Sequence, residues 1–143
     1  MPYCTLKDLI KRFGESEIND LLDRDSDGLH ESETLDMTIA DADGLIDGFL
    51  GVRYKVPISP VNSPKSYGVM RLFSCDITRY LLWDDNAPQE IKDRYDAAIA
   101  RLKDYAKGLM VLPDANPAPQ NPSGGVDFIA NERVFTQDTL KGF

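Results

Sequence analysis

Pro88-Gln-Glu-Ile-Lys-Asp-Arg-Tyr-Asp-Ala-Ala-Ile-Ala-Arg-Leu-Lys-Asp-Tyr-Ala-Lys-Gly-Leu109 decides the fold class. Ile91, Tyr95, Ala98, Leu102, Tyr105 and Leu109 recur at spacings of three and four, which places them on one helical face. Lys92, Asp93, Asp96, Arg101, Lys103 and Asp104 coat the opposite side. Pro88 stands at the first turn, where a missing N–H breaks no helical bond. An amphipathic helix of this clarity needs an apolar partner, and the stretches before it supply one.

Toward the N-terminus, a fourth helix is expected from about Lys65 to Trp83. Met70, Phe73, Ile77 and Leu81 form its stripe, widened by Leu72, Tyr80, Leu82 and Trp83. A helix this apolar belongs at the centre of a bundle or against another subunit. Val56 to Pro64 holds three prolines and reads as an extended loop. A third helix, from about Ser32 to Gly51, carries Leu35, Ile39, Ala42, Ile46 and Phe49 inward, with Asp36, Asp41, Asp43 and Asp47 on the other side. Gly44 and Gly48 each weaken that helix by about 1 kcal/mol relative to Ala. Two short helices open the chain. Thr5 and Asp8 make a capping pair for the first, Gly14 closes it, and Ser16 is placed to cap the second. The expected architecture is all-α, a small bundle of about five helices spanning 1–112.

Beyond Leu112 the composition changes. Residues 113–125 hold four prolines and a Gly pair, which reads as a flexible linker. Apolar anchors then return at Phe128, Ile129, Val134, Phe135, Leu140 and Phe143, so 126–143 reads as an extended docking tail. No apolar run approaches the roughly 20 residues of a membrane helix, and no export signal is recognised at the N-terminus. Cys4 and Cys75 are the two cysteines, expected to be reduced and packed as small apolar groups.

The net charge of −8 speaks against tight nucleic-acid binding, which needs clustered Lys and Arg. Its distribution is uneven. Glu15 to Asp47 holds twelve acids and one base, Arg24, a local net of −11, while the remainder is +3. That split fits either a solvated acidic face or subunits that pack the acidic part of one on the basic part of the next.

Catalytic chemistry finds no foothold. The single His30 rules out a His-pair metal site, and its place in a polar turn speaks against a Ser-His-Asp or Cys-His centre. Asp23-Arg-Asp-Ser-Asp-Gly28 matches the start of a calcium loop, with Asp23, Asp25 and Asp27 at positions one, three and five. Position eight is His30, and position twelve is Thr34 where a bidentate Glu belongs. These aspartates are weak metal candidates, read instead as an Asx-rich turn. Neither metal nor cofactor is expected, and the chain is not expected to be an enzyme. On the fourth helix, Asp76 and Arg79 are spaced for a rim ion pair or for a partly buried pair that fixes register.

One ordered set of segments is similar to a known family. It comprises Tyr3-Cys-Thr-Leu-Lys-Asp-Leu-Ile10, Arg12-Phe-Gly14, Asp23-Arg-Asp25, Ala40-Asp-Ala-Asp43, Ile46-Asp-Gly-Phe-Leu-Gly51, Arg53-Tyr54, Cys75-Asp-Ile-Thr-Arg-Tyr80 and Phe135-Thr-Gln-Asp-Thr-Leu-Lys-Gly-Phe143. Together they resemble the neck, or head-to-tail joining, proteins of Mu-like phages and prophages. Gln137 departs from the basic residue expected there. The resemblance implies a cofactor-free helical adaptor that forms a homo-oligomeric ring between portal and tail-completion proteins. It also implies a protein made in the bacterial cytoplasm and carried into the virion. Two other classes remain open at this point: a small calcium-dependent binding module, and an acidic DNA mimic that inhibits a host protein.

Overall fold

The computed structural model describes residues 1–23 and 32–118. The described helices are α1 (Leu6–Phe13), α2 (Glu15–Leu22), α3 (Ser32–Leu50), α4 (Pro64–Trp83) and α5 (Gln89–Lys107), with a 3-10 turn at Asp84–Asn86. No β-strand occurs among the described residues; one isolated bridge joins Tyr54 to Pro117. The all-α bundle expected from the spacing is the observed architecture.

Local chemistry sets most of the helix ends. At α1, Thr5 Oγ1 accepts from Asp8 N at 3.3 Å, and Thr5 N donates to Asp8 Oδ2 at 3.0 Å, the reciprocal pair that satisfies two otherwise orphaned donors. Gly14 follows at φ 98°, a conformation that a Cβ would strain, and it ends α1 while starting α2. Ser16, expected as a cap, lies one residue inside α2 instead, because the turn at Gly14 is tight enough to start that helix at Glu15. At the far end, α5 stops at Lys107, two residues short of the expected Leu109. Gly108 takes φ 83°, and a Cβ there would lie 2.8 Å from Arg53 Nη1, so the chain leaves the helix and Leu109 is exposed.

α4 occupies the centre, in contact with α1, α2, α3 and α5. On one side Met70, Phe73 and Ile77 pack with Ala42, Ile46 and Leu50 of α3 and Ala98, Leu102 and Tyr105 of α5. On the other, Cys75 and Leu82 close a second cluster with Cys4, Leu9, Ile18, Leu22, Leu35 and Ile39. Each fully buried aliphatic side chain here contributes about 1.5–3 kcal/mol relative to exposure. Most of the wide apolar stripe of α4 is thus consumed within the subunit, while Leu72 stays 40% exposed and Leu81 reaches the surface.

The segment expected as a linker begins differently. Leu112 is buried and donates its N–H to Tyr54 Oη at 3.1 Å, and Ala115 packs against the larger cluster. Lys55 N donates to Asn116 O at 2.8 Å and Ala118 N to Arg53 O at 2.9 Å. Asp114 caps α4 from 48 residues downstream: its Oδ1 accepts from Ser66 N at 2.9 Å and its Oδ2 from Lys65 N at 2.9 Å. Ser63, which precedes α4, makes no side-chain cap but donates its hydroxyl to Asp114 O at 2.7 Å. Residues 113–118 therefore belong with the helical body, since prolines cannot donate but their neighbours can. The rest of the expected linker and the expected tail, 119–143, lie outside the described residues.

Candidate functional site

Three features could carry function. The first is the anchorage of the N-terminal segment. Tyr3 N donates to Asp43 Oδ2 at 3.0 Å, and Tyr3 Oη donates to Asp47 Oδ1 at 2.6 Å while accepting from Ile58 N at 2.8 Å. Ser74 of α4 donates to Asp43 Oδ1 at 2.8 Å, and Tyr67 donates to Pro2 O at 2.6 Å. Asp43 and Asp47 are therefore inner-edge groups of α3, a correction to their placement on its solvent side. Ile39, Asp43, Asp47 and Leu50 form one helical row, so the polar face and the buried stripe share an edge there. Burial pushes both carboxyls above the usual carboxylate range, against the hydrogen bonds that favour their charge.

That shift has a sign. A carboxyl with a raised folded pKa contributes stability that is complete below its unfolded value, about 3.9, and is lost as pH rises through the folded value. Asp47→Asn keeps an acceptor for Tyr3 but cannot titrate. The melting temperature of the native protein relative to this variant should fall as pH is raised from about 3.5 to 6, because carboxyls remote from Asp47 titrate alike in both and cancel. Asp43, which the Asp47 charge also pushes up, acts in the same direction. A difference independent of pH across that window would contradict the raised pKa.

The second feature is an ionic and aromatic cluster on α2 and α4. Asp76 and Arg79 do not pair with each other. Arg79 reaches Glu17 with Nε to Oε2 at 2.7 Å and Nη2 to Oε1 at 2.9 Å, and Trp83 Nε1 adds a third donor to Oε2 at 3.2 Å. The same guanidinium lies 4.1 Å over the Phe13 ring. Asp76 instead approaches Arg94 at 4.0 Å, and burial raises its pKa. The pair fixes how α1 and α2 sit on α4; it is partly buried, with Glu17, Phe13 and Trp83 in the wall of a surface pocket of about 590 Å³.

The third feature is the outer face of α3. Met37 (63% exposed), Leu45 (38%) and Val52 (71%) stand on that side of the helix and just past its end. Gly44 and Gly48 lie between them, with nothing within 4 Å of where a Cβ would stand. Ala40, Leu45, Phe49 and Leu81 line a groove of about 630 Å³ over these glycines. Neither glycine has a positive φ, so this fold does not require glycine at either place. Arg53 follows Val52 and its guanidinium lies on Gly108, after which Leu109 and Val111 are also exposed, and Ala118 N is bonded to Arg53 O. Exposed Glu33 and Asp36 lie toward one end of this surface, exposed Asp41 lines the groove itself, and exposed Arg53 and Lys55 lie toward the other end.

Of the metal candidates, Asp23 ends α2, its N–H bonded to Asn19 O, while Asp25 and Asp27 lie outside the described residues. Thr34, at the twelfth position of the calcium pattern, is inside α3, and its carbonyl accepts from Thr38 Oγ1 at 2.7 Å. None of the described helices is long and apolar enough to cross a membrane. The sequence reading missed the Asp114 cap and the Tyr3–Asp47 bond. Both join residues more than 40 positions apart, where helical periodicity carries no signal.

Comparison with known proteins places these features in a lineage. The family model described as "Bacteriophage Mu, Gp36" matches residues 3–130. The chain is similar to the "Mu-like prophage FluMu protein gp36" of Haemophilus influenzae, with 27% identity over 99% of this chain and 97% of that one. It is also similar to "Gene product J" of Escherichia phage Mu, with 26% identity over 76% of this chain and 74% of that one.

Proposed function

The chain belongs to the bacteriophage Mu Gp36 family, and from that premise we propose that it is a structural subunit of the phage neck. In this reading it forms a ring between portal and tail-completion proteins and performs no catalysis. It takes no cofactor and no sequence-specific nucleic acid, is made in the bacterial cytoplasm and ends in the virion. The observation that carries the reading is the α3 outer face, where a mainly apolar groove over two glycines faces outward on a bundle whose helices otherwise bury most of their apolar stripes. A closed ring needs two different complementary surfaces on each subunit. The acid-flanked and base-flanked ends of this face meet that need, and the tail anchors from Phe128 to Phe143 add a second contact.

Charge here orients more than it binds, since an exposed ion pair contributes about 0–1 kcal/mol. Apolar burial supplies the affinity. That burial is assigned chiefly to α3, with Leu81 of α4 in the groove wall, since the subunit encloses most of α4.

The test is complementation of a prophage in which this gene is disrupted. The disrupted phage should yield heads and tails that do not join, visible by electron microscopy, and the full chain should restore joined particles. A chain ending at Ala118 should stay folded yet fail to restore them, because it keeps the Asp114 cap and the Arg53 bond but lacks the anchors. A chain ending at Leu112 should melt at a lower temperature than one ending at Ala118. Joined particles from the disrupted phage would refute the neck assignment.

A further inference from the structure

We propose that Cys4 and Cys75 are a modification site, a dithiol that a small disulfide oxidant converts to an intramolecular disulfide. The two thiols are fully buried, 71 positions apart in sequence, and their sulfurs stand 3.0 Å from each other. A disulfide needs about 2.05 Å, so closing the bond asks for movement of about 1 Å. Two cysteines that served only as small apolar groups would have no reason to meet. These are held together from both sides. Before Cys4, Tyr3 is fixed to Asp43 and Asp47, and Pro2 accepts from Tyr67; after it, Thr5 is locked into the cap of α1. Cys75 sits in the middle of α4, the central helix.

The surroundings set the rate. Leu9, Ile18, Leu35 and Ile39 enclose the pair, and its hydrogen bond to Cys75, together with burial and the nearby carboxylates Asp8 and Asp43, keeps the Cys4 thiol protonated. Spontaneous air oxidation should therefore be slow, since the thiolate is the attacking species. A cleft of about 740 Å³ between the N-terminal segment and α3 has Cys4 in its wall beside Met1, Leu6 and Asp36. Because neither thiol is exposed, the N-terminal segment must part from α3 before an oxidant reaches the sulfur. In the reaction, Cys4 loses its proton to solvent and its sulfur attacks the oxidant RSSR, giving a mixed disulfide and RS⁻, which takes up a proton. Cys75 then attacks the Cys4 sulfur, forming the Cys4–Cys75 bond and expelling the second RS⁻, which the Cys75 proton converts to RSH. The balance is two protein thiols and one RSSR giving one protein disulfide and two RSH.

The bond would tie the N-terminal segment, and with it the Tyr3 anchorage, to the central helix. If the chain is carried in the particle as proposed above, lysis moves the pair from a reducing cytoplasm to an oxidising medium. That clause rests on the neck reading, whereas the purified protein answers for the pair alone, so a failure there leaves the neck reading untouched.

The experiment treats the purified full-length chain with oxidised glutathione, without denaturant, alkylates the remaining thiols and measures intact mass. The expected product is monomeric, has no alkylatable thiol and yields a Cys4–Cys75 cross-linked peptide. Closing so long a loop should also raise its melting temperature by about 10 °C, reversibly with reductant. Cys4→Ser and Cys75→Ser should each abolish that rise. Two alkylatable thiols persisting after prolonged treatment, a cross-link between two chains, or a bond that lowers the melting temperature would each overturn the proposal.

Discussion

Arg79→Ala should destabilise the subunit by about 3 kcal/mol, as expected when one partner of a well-made, partly buried ion pair is removed. Two guanidinium nitrogens bond both Glu17 oxygens at 2.7 and 2.9 Å, and the side chains are 13% and 24% exposed. Removing the cation leaves Glu17 held by the Trp83 indole N–H and leaves the Phe13 ring without the group that covers it at 4.1 Å. In a domain of this size the loss should lower the melting temperature by roughly 10 °C. Arg79→Lys should recover only part of it, because an ammonium cannot offer the two-pronged fork. Replacing both partners with Met should cost less than Arg79→Ala alone, since no buried charge is then left unpaired. The pair also carries a pH signature opposite to that of Asp47. Hydrogen bonds from Arg79 hold the Glu17 carboxyl below its ordinary value, so its stability is present above the unfolded pKa of about 4.3 and is lost as pH falls through the folded one. Thermal melts of the variants at neutral pH and near pH 3 check both statements. An Arg79→Ala protein melting within about 2 °C of the native one would mean that the pair is a surface decoration.

What was legible in the sequence was what repeats locally. Spacings of three and four among Ile91, Ala98, Leu102 and Tyr105 fixed α5, and the same rule placed α3 and α4 within a residue or two. Thr5 and Asp8 declared their cap because its partners are three residues apart. Arg79 was misread for the complementary reason. A residue three positions away, Asp76, offered a local partner, while the true one, Glu17, lies 62 positions off on a helix whose orientation only the packed core sets. Asp114 was hidden in the same way, inside a proline-rich stretch whose composition suggests a linker. The cysteines looked isolated because 71 residues separate them, yet the order of the bundle brings Cys4 onto the middle of α4. Asp47 alone left a usable trace, since its four-residue spacing from Asp43 and three-residue spacing to Leu50 put it at the margin of the buried stripe. The family was legible from ordered short segments, and the model match over residues 3–130 bears that out.

The face of α3 gives the other large expected effect, and it separates fold from assembly. Gly44→Ala and Gly48→Ala should each stabilise the isolated subunit by about 1 kcal/mol, because Ala gives up less backbone freedom in a helix and nothing stands within 4 Å of the new methyl groups. The two glycines give up that stability without any need inside the subunit, since neither has a positive φ or a close neighbour. Under the neck reading they allow close approach by another chain over Ala40, Leu45 and Phe49, the walls of the groove. The double glycine variant should then melt several degrees higher yet enter particles less well than the native protein. Leu45→Glu should reduce entry at least tenfold while leaving the melt within about 2 °C, since the side chain is exposed and charge there is tolerated until a partner must bury it. The two readouts are the melt of purified protein and the amount of variant recovered in purified particles from a complemented disruption. A glycine double variant that is more stable and joins heads to tails at the native level would show that α3 meets no partner there. The contact would then have to be sought at Leu109 and Val111, where the chain runs toward its tail.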